Sequence, residues 1–366
     1  MKVRVERELM LPLLNLVVGV VERRQTLPVL ANLLLHAEDG KLTCTGTDME
    51  VELTGSMEAE IEQDGEITVP ARKLHDICRA LPDGALIRLE QKDDKMSVSS
   101  GRSRFTLSTL PAEEFPSSDQ VDSLAEWSFT EDMIHALMTG TSFAMAHQDV
   151  RYYLNGLMLE FKPGMLRAVA TDGHRLALSD LNAEEMEADE RQLIVPRKGI
   201  LELMRMLGHS EAPVQLAVGR SHIRLRKDGL QLTSKLIDGR FPDYEAVIPV
   251  GNDRMVIVQR QELREALQRA AILSNEKYRG VRLELEPGSI RIIAHNPQQE
   301  EAVDEVEAEH DIKDLSMGFN VTYLQDALNV IDSERVKLAL RDANSSCLIT
   351  AEDSDANRHV IMPLKL

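Results

Sequence analysis

Leu33-Leu34-Leu35-His36-Ala37-Glu38-Asp39-Gly40-Lys41-Leu42-Thr43 reads as a strand, a glycine turn and a returning strand, and the pattern recurs twice along the chain. The second copy is Leu157-Met158-Leu159-Glu160-Phe161-Lys162-Pro163-Gly164-Met165-Leu166-Arg167, and the third is Val281-Arg282-Leu283-Glu284-Leu285-Glu286-Pro287-Gly288-Ser289-Ile290-Arg291. The turn glycines at 40, 164 and 288 lie 124 residues apart in both steps, and Asp48, Asp172 and Asn296 keep the same interval. That period exceeds any solenoid repeat and is the size of a whole domain, so the chain reads as one domain written three times. Polar stretches at 118–125 and 249–254 mark the breaks, which gives domains at 1–124, 125–252 and 253–366.

Each third is long enough to bury its own core. Aromatic residues are only 4% of the chain against 43% hydrophobic, so those cores must be aliphatic, filled by Leu, Val, Ile and 16 methionines. No run of roughly 20 uncharged apolar residues occurs, and a cytoplasmic protein with no membrane association is expected. Cys44, Cys78 and Cys347 are odd in number and far apart, which argues against a disulfide framework or a zinc site, and no metal or cofactor is expected. The net charge of −19 taken alone opposes nucleic acid, because phosphate binding draws on Lys and Arg. Distribution can overrule the sum: an acidic exterior suppresses stray adhesion while a basic surface faces a duplex.

Within each third an amphipathic helix is expected first, at 8–21, 130–146 and 261–273, with Pro12 in the first turn of one and Thr130 as N-cap of another. The hairpin follows. A second helix is entered through Val69-Pro70 and Val195-Pro196, and through Asn320-Val321 in the last third. Closing strands at 105–110 and 232–236 precede Phe115-Pro116 and Phe241-Pro242 at an offset of 126. The order of helix, strands, helix, strands gives an α+β domain of two similar halves, with both helices on one side of its sheets.

On the second helices, Leu74, Ile77, Cys78 and Leu81 form one apolar stripe and Leu201, Met204 and Leu207 another, while Arg72 and Arg79, and Lys198 and Arg205, stand seven apart on a different face. Arg260, Arg264 and Arg269 are set apart from Leu263, Ala266, Leu267 and Ala270 in the same way. These faces are either ordinary solvated surface or a basic surface repeated on equivalent helices. The acidic run at 184–191 reads as a solvated loop.

The sharpest candidate for chemistry is Thr171-Asp172-Gly173-His174-Arg175-Leu176, an acid, a base and a cation at the end of a hairpin. It has no accompanying nucleophile elbow, zinc-binding His pair or phosphate-cradling loop. Asp48 and Asn296 stand at equivalent positions, so Asp172 reads more simply as part of the repeat's turn. A phosphoester hydrolase using Asp172 and His174, and a protein-only scaffold of tandem domains, remain the alternatives.

Gly-Arg-Ser-Arg-Phe at 101–105, Ala-His-Gln-Asp-Val-Arg-Tyr-Tyr-Leu-Asn-Gly at 146–156, Ala-Thr-Asp-Gly-His-Arg-Leu at 170–176, Ile-Leu-Ser-Asn-Glu-Lys at 272–277 and the terminal Met362-Pro363-Leu364-Lys365-Leu366 closely resemble the bacterial β sliding-clamp family, the processivity subunits of DNA polymerase III. The resemblance runs along the whole chain. It implies a non-catalytic, head-to-tail homodimer whose six similar domains form a ring, strands outside and helices lining the hole. It also implies as partners duplex DNA, the replicative polymerase, a clamp loader and other proteins carrying clamp-binding motifs. Size is compatible: spheres roughly 35 Å across leave a gap of about 5 Å when three touch in a ring, but about 35 Å when six do, enough for a duplex.

The resemblance further assigns DNA contact, indifferent to sequence, to Arg24, Gln148, Tyr152 and Tyr153. To these the charge pattern adds Arg72, Lys73, Arg197 and Lys198. The resemblance also implies a peptide-binding pocket between the second and third domains, lined by Leu154, Thr171, Gly173, His174, Arg175, Leu176, Pro242, Val247, Asn320, Tyr323, Ser346, Val360, Met362, Pro363 and Leu364. Ala246 stands where a basic residue is common in the family, and Asn344 where an apolar one is. For the dimer contact, Arg102 and Arg104 flank Phe105 and Leu107 in the first domain, and Ile272 and Leu273 lie near the acidic Glu300, Glu301 and Asp304 in the third. Apolar contact would hold that interface and charge would set its register.

Overall fold

The computed structural model describes residues 1–22, 27–116, 123–184 and 186–365. The three hairpins form as Asn32–Glu38 with Lys41–Thr47, Gly156–Lys162 with Met165–Thr171, and Gly280–Glu286 with Ser289–His295. In the first, Asp39 and Gly40 both take positive φ, at 50° and 75°, the mirror-image turn whose twist suits antiparallel strands. The other two have proline before the glycine, and proline holds φ near −65°, so only Gly164 (74°) and Gly288 (87°) turn left-handed. One register is thus reached through two turn chemistries.

Among the described residues two α-helices fall in each third: α1 (Arg7–Val20), α2 (Ala71–Ala80), α3 (Glu131–Thr139), α4 (Arg197–Met206), α5 (Arg260–Ala271) and α6 (Val321–Val330). α1 packs on the strands Lys41–Thr47 and Val51–Glu58 and against α2, and α5 packs on Ser289–His295 and Glu301–Glu309 and against α6. Thr130 Oγ1 accepts from Met133 N at 3.3 Å, as an N-cap does.

Three local expectations are corrected. Pro12 lies in the second turn of α1, where it cannot donate to the Glu8 carbonyl; both residues face solvent, and buried Met10, Leu13, Leu14 and Val17 hold the helix in place. α3 ends at Thr139 rather than at 146. The Thr141 hydroxyl donates back to the Leu137 carbonyl (2.9 Å), and a 3-10 turn, Ser142–Ala144, takes over. Along α4 and the residue that follows it the inward stripe is Ile200, Leu203 and Leu207, and Leu201 is 41% exposed. Those inward positions are the ones that the offset of 126 from Leu74, Ile77 and Leu81 points to.

The chain packs as two compact units, Met1–Ile134 with Lys198–Leu236, and His135–Arg197 with Ile237–Leu366. The first holds a five-stranded and an eight-stranded sheet and the second a twelve-stranded one. Each large sheet joins strands from two thirds of the sequence. Leu230–Lys235 pairs antiparallel with Val51–Glu58, opposing Leu232 to Leu53. Arg175–Asn182 pairs with Asn357–Ile361, opposing Leu176 to Val360. The middle third therefore gives strands to both units. Among the described residues no helix is long and apolar enough to cross a membrane, and no His/Cys/Asp/Glu cluster could hold a metal. Cys44, Cys78 and Cys347 are buried, and burial pushes Cys44 and Cys78 up to about 12.

Candidate functional site

The Thr171–Arg175 turn is built by its own side chains. Thr171 Oγ1 donates to the Arg175 carbonyl (2.6 Å) and accepts from Gly173 N (3.1 Å), while Asp172 Oδ1 accepts from His174 N (2.9 Å) and Arg175 N (3.1 Å). The first third repeats this bond for bond. Thr47 Oγ1 donates to the Val51 carbonyl and accepts from Met49 N, and Asp48 Oδ1 accepts from Glu50 N and Val51 N. Asp172 Oδ2 also takes Arg175 Nε at 3.1 Å. With its lone pairs committed to the turn, Asp172 is a structural carboxylate, and the hydrolase reading falls.

Arg175 is equally committed. Its guanidinium donates to Asp326 Oδ2 (2.5 Å) and the Phe143 carbonyl (2.8 Å), lying 4.4 Å from the Tyr323 ring centroid and 5.2 Å from that of Phe143. It fastens the turn to α6 and to the 3-10 turn after α3. Asn320 caps α6 through Thr322 N (2.9 Å), which sets Tyr323 half-buried beside that guanidinium.

Around this turn the structure brings together several of the residues expected to line a pocket. Leu154, Leu176 and Val360 are buried in one apolar cluster with Phe241 and Tyr244, and Val247 packs against it half-buried. The C-terminal strand Asn357–Ile361 is paired on both sides, with Arg175–Asn182 and with Cys347–Ala351. Beyond it, Met362 N donates to the His174 carbonyl (3.0 Å) and Leu364 N to the Gly318 carbonyl (2.7 Å), leaving Met362 39% exposed and Pro363 and Leu364 half-covered. Segment 241–248 is held by Tyr244, whose hydroxyl donates to the buried Glu160 at 2.7 Å. Burial would raise Glu160, but Gln192, Tyr244 and Lys162 outweigh it and keep the carboxylate ionised. Pro242 and Ala246 are exposed on that segment, and the half-buried Ser346 accepts from Asn252 through its carbonyl (2.9 Å). Asn344 is exposed, its N–H bound to Asp342. Phe143, Arg151 and Asp326 were not expected here. The motif at 146–156 contains Arg151, but nothing local to Phe143 or Asp326 signals a contact with Arg175.

Gln148, Tyr152 and Tyr153 sit on one loop. Gln148 is exposed with φ 56°, Tyr152 is 55% exposed, and Tyr153 packs half-buried with its ring 5.7 Å from that of Tyr152. Arg24 lies outside the described residues. Of the helix cations, Lys73 is exposed, Arg72 donates to the Val21 carbonyl (3.1 Å) and Arg197 to the Met145 carbonyl (3.2 Å). Lys198 departs from expectation: it is ion-paired with Glu22 (3.0 Å) and with Asp48. Burial alone would lower Lys198, and the two carboxylates outweigh it and raise it, so its charge is already matched within the chain. Arg269 likewise pairs with Asp304 at 2.6 Å, which removes Asp304 as a free acidic partner for another copy.

Two strands matter for the expected contact between copies. Ser103–Ser108 borders the five-stranded sheet, with Arg102, Arg104 and Phe105 exposed and Leu107 buried. Glu301–Glu309 pairs with Ser289–His295 along its length, but on its other side meets Arg254–Gln259 only at Ala308 and Glu309. Beside that edge Ile272 is 78% exposed and Leu273 half-buried, in a cleft of about 500 Å³ that Glu300 also lines.

Three repeats of one α+β domain, no catalytic constellation among the described residues and an apolar cluster bordered by the C-terminal strand define a clamp-type protein. The family models for the N-terminal, central and C-terminal domains of the DNA polymerase III beta subunit match residues 1–119, 128–243 and 245–365. The chain is 53% identical to the beta sliding clamp of Pseudomonas aeruginosa over 363 residues, 99% of each chain, and 45% identical to that of Escherichia coli over 367 residues, all of each. A crystal structure of the Pseudomonas aeruginosa DNA polymerase III subunit beta superposes with a TM-score of 0.96 at 52% identity, covering all of both chains. Another, bound to griselimycin, has the same TM-score, identity and coverage. The chain belongs to the DNA polymerase III beta subunit family: it is a sliding clamp of DNA replication, a processivity subunit and not an enzyme.

Proposed function

We propose that two copies of this chain close head to tail into a ring around duplex DNA, helices inward, and tether the replicative polymerase and other motif-bearing partners through the pocket at Thr171–Arg175. The observation that carries the ring is the unlike charge of the terminal strand Ser103–Ser108 and the partly unpaired side of Glu301–Glu309. One is basic, at Arg102 and Arg104, and the other acidic, at Glu301, Glu305 and Glu307. Unlike edges give a heterologous contact, which closes into a ring when the rotation allows and leaves two interfaces per dimer. Domains at 1–124, 125–252 and 253–366, joined across those edges as first to third, give the six repeats such a ring needs. Sequence-blind DNA contact then falls to Arg24, Gln148, Tyr152 and Tyr153 with Arg72, Lys73 and Arg197, and Lys198 drops out because its charge is matched.

The pocket suits short linear motifs: apolar walls with few directional groups, and an unbranched Met362 at its rim that can adjust to different side chains. Griselimycin is expected to occupy it here, and a clamp loader to use it when opening the ring in the cytoplasm. The deciding experiment loads the protein on nicked circular DNA and on the same DNA linearised. Retention on the circle with loss from free ends supports encirclement, and equal retention on both would sink it.

A further inference from the structure

The loop with the exposed Gln148 and Tyr152 runs without a break into the pocket wall. Tyr152–Leu154 is one three-residue 3-10 turn, exposed at Tyr152 and buried at Leu154 against Leu176 and Val360. Movement of so short a turn displaces both ends together.

Arg151 holds that loop twice. Within the loop its Nε and Nη2 reach the two oxygens of Asp149 at 3.0 and 2.8 Å, and its backbone N–H reaches Asp149 Oδ1 at 2.8 Å. The Arg151 guanidinium beside Asp149 holds that carboxyl down at about 2, so the pair stays ionised at neutral pH. Across to the pocket, Nη2 donates to the Asp172 carbonyl at 3.3 Å. The same guanidinium lies so close over Gly173 that a Cβ there would come within 2.9 Å of it. Gly173 has φ 88°, but the equivalent Met49 holds φ 76° with a full side chain. Left-handed backbone favours glycine at 173, and any side chain there would also push the Arg151 guanidinium aside.

Resting on the reading of this loop as a DNA contact and of the pocket as a peptide site, we propose that Arg151 is a positioning residue that couples the two. A ligand on either side fixes the 148–154 segment through Arg151, and the second ligand then has less to order, which gives positive cooperativity.

The test measures the affinity of fluorescently labelled griselimycin for the full-length protein, with and without a saturating 30-base-pair duplex. Wild type should bind it tighter with duplex present by roughly fivefold, the low end of usual couplings, and the duplex should tighten by the same factor with griselimycin bound. Arg151→Ala should bring that ratio to one. Arg151→Lys, which keeps the charge and loses the two-pronged grip, should bring it most of the way, which separates positioning from mere loss of a cation. Melting curves check that both variants fold. A ratio of one in wild type with both ligands bound, or an unchanged ratio in either folded variant, overturns the coupling. Failure of wild type to bind either ligand overturns the functional reading beneath it, and the coupling with it.

Discussion

At the scale of single residues, the most consequential side chain outside the proposed pocket is His359. It is 1% exposed on the strand that leads into the tail, and neither ring nitrogen has a hydrogen-bond partner among the described residues. The Phe143 ring lies 5.7 Å away, with the Arg175 guanidinium on that ring. Burial pushes His359 down from 6.5 to about 4. The folded state thus resists a proton that the unfolded state accepts. Stability is full above about 6.5 and is lost as pH falls from there to about 4. At about 1.4 kcal/mol per tenfold change in proton affinity, that loss reaches about 3 kcal/mol. Urea titrations at pH 7 and pH 4.5 should find most of this difference in wild type and little of it in His359→Leu; an equal loss of stability in both would remove His359 as the cause. The sequence carried no sign of this burial, nor of the Lys198–Asp48 pair, whose partners lie 150 residues apart. Seven-residue spacing reveals which cations share a helix face, and says nothing of which carboxylate the fold brings against them. The Thr–Asp turn was legible because its bonds are local and the repeat displays it twice.

At the scale of elements, the hairpins were legible from the period of 124 and the helices from their apolar stripes, since turn chemistry and amphipathic spacing are local properties. Pairing between thirds was not, because strands brought together from distant thirds have no common register in sequence. The tail gains its place from such a pairing. Asn357–Ile361 is held on both edges, whereas residues 362–365 are tied by backbone bonds only at Met362 and Leu364. Truncation after Ile361 therefore removes two peripheral hydrogen bonds, at a stability cost of about 1–3 kcal/mol. It also removes the adjustable rim of the proposed pocket. Griselimycin affinity should fall by at least about tenfold, the loss of one modest contact of about 1.4 kcal/mol, while the mass of the assembly stays unchanged. A truncated protein that binds griselimycin as tightly as the full chain would leave the tail a purely structural strand end.

At the scale of the whole molecule, the proposed ring makes interface substitutions count twice. Ile272 projects from the free chain at 78% exposure, so trimming it removes little from the folded protomer, and Leu273 is only half-buried. In a head-to-tail dimer the same pair would be covered at both contacts. An apolar side chain fully buried contributes about 1.5–3 kcal/mol, so Ile272→Ala with Leu273→Ala should withdraw about 3 kcal/mol from each interface and about twice that from the closed dimer. Association that survives at nanomolar concentration would then fail at low micromolar. Sedimentation or light scattering at that concentration should report a protomer of 41.0 kDa that retains its melting temperature. The charges on the two edges act differently, because rim charges set register and association rate more than they hold a complex. Raising salt should slow reassociation of wild type and leave its final mass unchanged. A double variant that keeps the dimer mass at low micromolar would move the interface away from these edges, and the ring would have to close elsewhere.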